Sequence, residues 1–148
     1  MIVNAAIIGS GQAGPALATA LAADGESVVL FEAARLGGTC VNSGCTPTKT
    51  LRKSARVAYL ARRAAEFGVD VGPVTVNFRA AMERMERIVT ASRDGLGKWI
   101  SGTQGVTLVR EHAQLQGRDD SGTFIIRAGD TTYHADRVYL NVGTHAAL

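Results

Sequence analysis

Cysteine is nearly absent from this chain: there are two in 148 residues, Cys40 and Cys45, with four residues between them. Two sulfurs are half of a tetrahedral zinc set, and no histidine lies near them in sequence. A zinc site would need His112, His134 or His145 to approach in space, and no metal site is assigned. Long apolar runs are also missing. None reaches the roughly 18 residues of a membrane span. No basic segment leads an apolar stretch at the N-terminus, so no signal peptide is visible. No block of like charge occurs either. The arginines behind the net charge of +3 are spread over two helical stretches, which reads as solvated helix faces and not as a nucleic-acid surface. A cytoplasmic location follows by default, and in that compartment a disulfide is more often catalytic than structural.

What is present fits one domain with a core: the chain is 46% apolar and 20% charged, without repeats or low-complexity tracts. Its organising stretch is residues 37–49, which holds both cysteines. A disulfide needs its Cα atoms within about 7 Å. A straight helix would hold residues five apart about 8 Å from each other. The chain is therefore expected to bend between the cysteines, helped by Gly44, with a helix starting at Pro47. The dipole of that helix and Lys49 would favour a thiolate. The other reading of the pair is two buried structural cysteines.

Upstream lies an apolar run, residues 2–8, followed at once by Gly9-Ser10-Gly11-Gln12-Ala13-Gly14. A helix is predicted from about Gln12 to Ala23, then a buried strand over 27–31, with Glu32 at its end. Strand, glycine loop, helix, strand and acid together make the dinucleotide fingerprint. Gly9 allows the tight turn, Gly11 lets the backbone approach a pyrophosphate, and Gly14 lets the helix pack on the strand. Free N–H groups and the helix dipole suit phosphate. Glu32 lies 18 residues past Gly14, where an acid for a ribose 2′-hydroxyl belongs, and it would repel a 2′-phosphate.

Downstream, helices are predicted from Pro47 to about Glu66 and from about Phe78 to Ile100. Phe78, Met82, Met85, Val89, Leu96 and Trp99 of the second are read as core packing. The period then changes. A strand is predicted from Val106 to about Gln116, a hairpin from 123–127 and 131–134, and a last apolar strand over 138–142. Strands 106–134 read as an antiparallel meander appended to a parallel sheet. His112 and His134 are read as ordinary strand residues.

Taken together these motifs resemble the FAD-binding N-terminal region of the pyridine nucleotide–disulfide oxidoreductases, over the whole chain. Residues 37–49 match the redox signature GGxCxNxGCxPxK, Gly9 to Gly14 with Glu32 match the FAD fingerprint, and 141–144 match a second flavin-contacting segment. The resemblance implies a Rossmann-like α/β fold: a parallel sheet with flanking helices and an antiparallel β-meander, truncated after residue 148. It implies FAD as cofactor and NAD(P)H as co-substrate. Gly9, Gly11, Gln12, Ala13 and Gly14 would approach the pyrophosphate, and Glu32 the adenosine ribose. Gly38, Thr39, Cys40, Lys49 and Gly143 would line the cofactor, and the Ala113 backbone would contact the adenine. Cys45 would lie against the flavin ring, and Cys40 would be the more accessible sulfur that exchanges with substrate.

The chain departs from the family at three places. Glu111 stands where Gly is usual, and Thr46 and Thr48 replace commoner residues. Glu111 bears on the Ala113 assignment, while Thr46 and Thr48, with the Ser43-Gly44 pairing, favour a mercuric reductase-like member, with dihydrolipoamide dehydrogenase-like and glutathione reductase-like members as alternatives. No metal-binding GMTCxxC segment is present. Family members are about three times longer. The NAD(P)-binding and dimerisation domains, and the acid/base pair that works across a homodimer, are therefore expected to lie outside this chain, and the chain alone is expected to show no turnover. The rival reading is a free-standing FAD-binding module.

Overall fold

The computed structural model describes residues 1–144, and His145 lies outside the described residues. The elements in chain order are β1 (Ile2–Ile8), α1 (Ala13–Ala23), β2 (Val28–Phe31), α2 (Gly38–Asn42), α3 (Cys45–Arg62), a 3-10 turn (Ala64–Phe67), α4 (Phe78–Gly102), β3 (Val106–Val109), β4 (Ala113–Arg118), β5 (Phe124–Ala128) and β6 (Thr131–Leu140). They build one six-stranded sheet in the order β3-β2-β1-β6-β5-β4.

The parallel half is β3-β2-β1-β6, and the antiparallel half is β6-β5-β4. β2 is buried at all four positions, as a strand covered on both faces must be. Its side chains alternate. Val28 and Leu30 join Ala5, Ile7, Ala18, Leu36 and Ile100 on the helix side. Val29 and Phe31 join Ile126, Ala128, Tyr133 and Ala135 on the other. Phe31 and Tyr133 meet edge to face with centroids 5.0 Å apart. Their strands are two apart, and the register sets Phe31 level with Leu140, seven residues along β6 from Tyr133, which in a flat sheet is more than about 20 Å. The sheet therefore curls, and its antiparallel half covers the face that no helix covers.

Two boundaries and one helix face differ from the sequence reading. The stretch from Val106 to Gln116 is two strands at opposite edges of the sheet: β3 is parallel to β2, and only β4 belongs to the meander. Strands 131–134 and 138–142 are one ten-residue strand, β6. Its first half pairs with β5, and residues from Ile2 to Ile8 pair with its second half. Asp136 and Arg137 interrupt the apolar pattern because they stay exposed, where Asp136 accepts from Asn4 and Arg137 pairs with Glu26. In α4, Val89 and Ile100 are buried, but Phe78 and Trp99 are 68% and 47% exposed, so the helical repeat overstated the core. Asn77 caps this helix, its Oδ1 accepting from the Ala80 amide at 3.0 Å.

Candidate functional site

A cleft of about 600 Å³ opens at the carboxyl ends of β1, β2 and β6. Ligands gather at this edge of an α/β sheet. Its floor is the turn after β1. Gly9 has φ +106°, and a Cβ there would collide with the Asn141 carbonyl at the end of β6. A Cβ on Gly14 would collide with the Gly9 carbonyl, so α1 can sit this close to the strand only as glycine. Gly38 closes the far side, where a Cβ would lie 2.9 Å from the Gly11 Cα. Two bare backbones thus face each other across the cleft mouth. Among the described residues nothing accepts from the amides of Gly11, Gln12 and Ala13, which leaves the α1 N-terminus its donors and positive dipole.

Glu32 ends β2 on the cleft wall. Its Oε2 accepts from the Ser10 amide at 3.1 Å and the Ser10 hydroxyl at 2.5 Å, and its Oε1 accepts from the Ala34 amide at 2.9 Å. Ser10 is fully buried, and its Oγ also accepts from the Gly37 amide at 3.2 Å. One hydroxyl therefore ties the glycine turn, the acid and the start of the cysteine segment together. The sequence reading missed Ser10, because the fingerprint scores it only as a spacer. It also gave no role to the Asn141 side chain, whose Nδ2 donates to the Gly9 carbonyl at 3.3 Å.

The cysteine segment runs differently from expectation. α3 begins at Cys45, two residues before Pro47, and an unforeseen five-residue helix, α2, carries Cys40. The bend falls at Ser43 and Gly44. A Cβ on Gly44 would lie 3.0 Å from the Thr39 carbonyl and 3.3 Å from the Cys40 Cα, so glycine lets the chain fold back on itself. Asn42 fastens α2: its Nδ2 donates to the carbonyls of Leu36 and Gly38, each at 2.9 Å. The fold-back at Gly44 brings the start of α3 close to Cys40, and the influence of Cys45, first as a hydrogen-bonding neighbour, then burial, raises the Cys40 thiol above its ordinary value, while the Cys45 backbone and the Lys49 charge pull the other way.

Of the sequence-predicted residues, Gly9, Gly11, Gln12, Glu32, Gly38, Thr39, Cys40, Ala113 and Gly143 line the cleft. Ala13 and Gly14 lie behind its floor, and Cys45 and Lys49 lie off its wall on α3. The order of exposure is the reverse of that expected: Cys45 is exposed and Cys40 half-buried. His112 is not a strand residue. It sits with Glu111 in the turn before β4 and lines the cleft beside Ala113.

The model of the family described as pyridine nucleotide-disulphide oxidoreductase matches residues 3–148. A dihydrolipoyl dehydrogenase of Chlorobaculum parvum is 42% identical over 93 residues, which is 63% of this chain and 20% of that protein. A mercuric reductase of Serratia marcescens is 29% identical over 152 residues, 99% of this chain and 32% of that protein. The Cu(II) complex of the HOCl-induced flavoprotein disulfide reductase RclA from Escherichia coli superposes with a TM-score of 0.75 at 26% identity, over 98% of this chain and 29% of that one. The chain thus spans about a fifth to a third of the length of these relatives. A glycine cradle and Cys40 that meet in one cleft, within a sheet that superposes on a flavoprotein disulfide reductase, agree with the family match, and the chain belongs to the pyridine nucleotide-disulphide oxidoreductase family.

Proposed function

We propose that this chain is the FAD-binding segment of a flavoprotein disulfide oxidoreductase that draws on NAD(P)H, with Cys40 and Cys45 as its redox pair. The observation that carries the reading is shared geometry: Cys40 lines the same cleft as Gly9, Gly11 and Glu32, and the chain folds back at Gly44 so that Cys45 opens the next helix beside it. The residues fit a dinucleotide. The glycine cradle leaves room where any Cβ would collide, the α1 amides are free to donate, and Glu32 is held ready to accept. FAD would supply the hydride and electron chemistry when bound. The chain would bind its pyrophosphate at Gly11 to Ala13 and its ribose at Glu32, and would keep the two sulfurs in contact for thiol–disulfide exchange. The family resemblance, and not the cleft lining, assigns Cys45 and Lys49 to the flavin side and Cys40 to the acceptor side. The nicotinamide site, the acid/base pair and a homodimer interface would belong to further domains of the whole enzyme.

The acceptor is a disulfide, a metal ion or a similar small oxidant. Two observations favour a mercuric reductase-like member: Thr46 and Thr48 in the redox segment, and an alignment that spans the whole chain. Comparing Hg(II)-dependent NADPH oxidation with dihydrolipoamide oxidation in the whole enzyme separates the two.

The central test uses this chain reconstituted with FAD. One FAD per chain and a single Cys40–Cys45 disulfide on mild oxidation are expected. Reduced Cys40→Ser should keep a long-wavelength thiolate–flavin absorption that Cys45→Ser lacks. A chain that holds FAD but forms no disulfide would be a binding module only, and one that holds no FAD would end the reading.

A further inference from the structure

α3 carries Lys49, Arg52, Lys53, Arg56 and Arg62 and no acidic residue. At 3.6 residues per turn, Cys45, Lys49, Arg52, Lys53 and Arg56 fall within an arc of about 100°. All five are exposed. Among the described residues none of the four cations on this stripe is in an ion pair. The opposite face holds buried Thr50 and packs on α4, whose Arg84 donates to the Thr50 carbonyl at 3.2 Å.

Helix stability does not explain the stripe. Lys49 with Lys53, and Arg52 with Arg56, are like charges four residues apart, which destabilise a helix. Cations near a helix N-terminus also oppose its dipole. The neighbouring α4 solves the same problem conventionally, with Arg79, Glu83 and Arg87 alternating in sign at that spacing. A row of unpaired cations that begins at a redox sulfur has a different consequence. It concentrates anions at the sulfur and stabilises negative charge that develops there.

We propose that this face of α3 steers an anionic disulfide, one that bears carboxylates, onto the Cys40–Cys45 pair. The inference rests on that pair being redox-active and, where the acceptor is a disulfide, names the charge it carries. In the exchange, a thiolate of the pair attacks one sulfur of the acceptor, forms a mixed disulfide and expels a thiolate. The second cysteine, losing its proton to solvent, displaces the second thiolate and closes the Cys40–Cys45 bond. The pair loses two electrons and the acceptor gains them. Both the carboxylates and the departing thiolates are negative beside the stripe, so the field acts on approach and on the barrier.

The test needs no flavin and no turnover. The reduced chain is mixed with 5,5′-dithiobis(2-nitrobenzoate), which bears two carboxylates, or with neutral 4,4′-dithiodipyridine. Each rate is divided by that of a neutral cysteine peptide with the same probe. The anionic-to-neutral ratio should be on the order of tenfold at low salt. It should fall toward one near 1 M salt, where the screening length is about 3 Å. The triple variant Arg52→Gln, Lys53→Gln, Arg56→Gln should lose most of the ratio and keep the neutral rate, and Arg52→Lys with Arg56→Lys should retain it. A ratio near one, or a variant that slows both probes alike, overturns the proposal. If neither probe produces the Cys40–Cys45 disulfide, the pair is not redox-active, and both this inference and the reading beneath it fall.

Discussion

The cleft has two glycine turns, and they are glycine for different reasons. In the turn after β1, the obstacle to a side chain at Gly9 is the carbonyl of Asn141, which lies 132 residues away. In the cysteine segment, the obstacle at Gly37 is the side chain of Val41, and at Gly44 it is the backbone of Thr39 and Cys40. The first turn is shaped by a strand that must dock against it. The second is shaped by its own next few residues. They are joined where Gly38 meets Gly11 and where Ser10 accepts from the Gly37 amide. Damage to the first should therefore spread through the sheet, and damage to the second should stay near the sulfurs.

Gly9→Ala should have the largest effect. It adds strain at a positive φ to a collision with backbone that cannot yield, about 3–5 kcal/mol together. Urea unfolding should show it, and equal stability would mean that β6 does not close on the turn. Glu32→Ala should weaken FAD binding by about 1.5–3 kcal/mol, as for other hydrogen bonds to a charged group. Because it also strands the buried Ser10 hydroxyl, it should lower stability without ligand, and titration with calorimetry separates the two effects. Asn42→Ala should be milder, about 1–2 kcal/mol from two lost hydrogen bonds. Its mark should be local: faster alkylation of Cys40 with little change in FAD affinity. If FAD affinity fell as far as in Glu32→Ala, the two turns would not be separable.

The smallest effect concerns pH. Cys40 has its thiol raised above its ordinary value of about 9 by the Cys45 hydrogen bond first and burial second. The folded chain then holds that proton more tightly than the unfolded one. The stability this confers is complete below pH 9 and is lost as pH rises through the folded value. The urea midpoint of the reduced protein should drop between pH 8 and pH 10, by more than in Cys40→Ser. An equal drop in both would remove Cys40 from the account.

The site was more legible in the sequence than the sheet was. Glycine spacing, the acid at position 32 and the cysteine motif are short-range patterns, and seven of the residues they nominated line one cleft. Ser10 escaped because a small hydroxyl looks like filler until its two partners, Glu32 and Gly37, are brought together. α2 escaped because five residues are too few to show a helical period. Phe78 and Trp99 were misplaced because the repeat marks a face of α4 without saying how much of that face is covered.

By itself the sequence determined the order and type of most elements, the glycine turn after β1 and the identity of the sulfur pair. These depend on side-chain periodicity and on residues within a few positions of one another. Only the tertiary structure decided that β3 and β4 separate to opposite edges, that β6 runs unbroken from the meander into the parallel sheet, and that Cys40 shares a wall with Gly9 and Glu32. Strand partnership is settled by which apolar faces can be buried together, and contacts between residues more than a hundred positions apart leave no local periodicity to read.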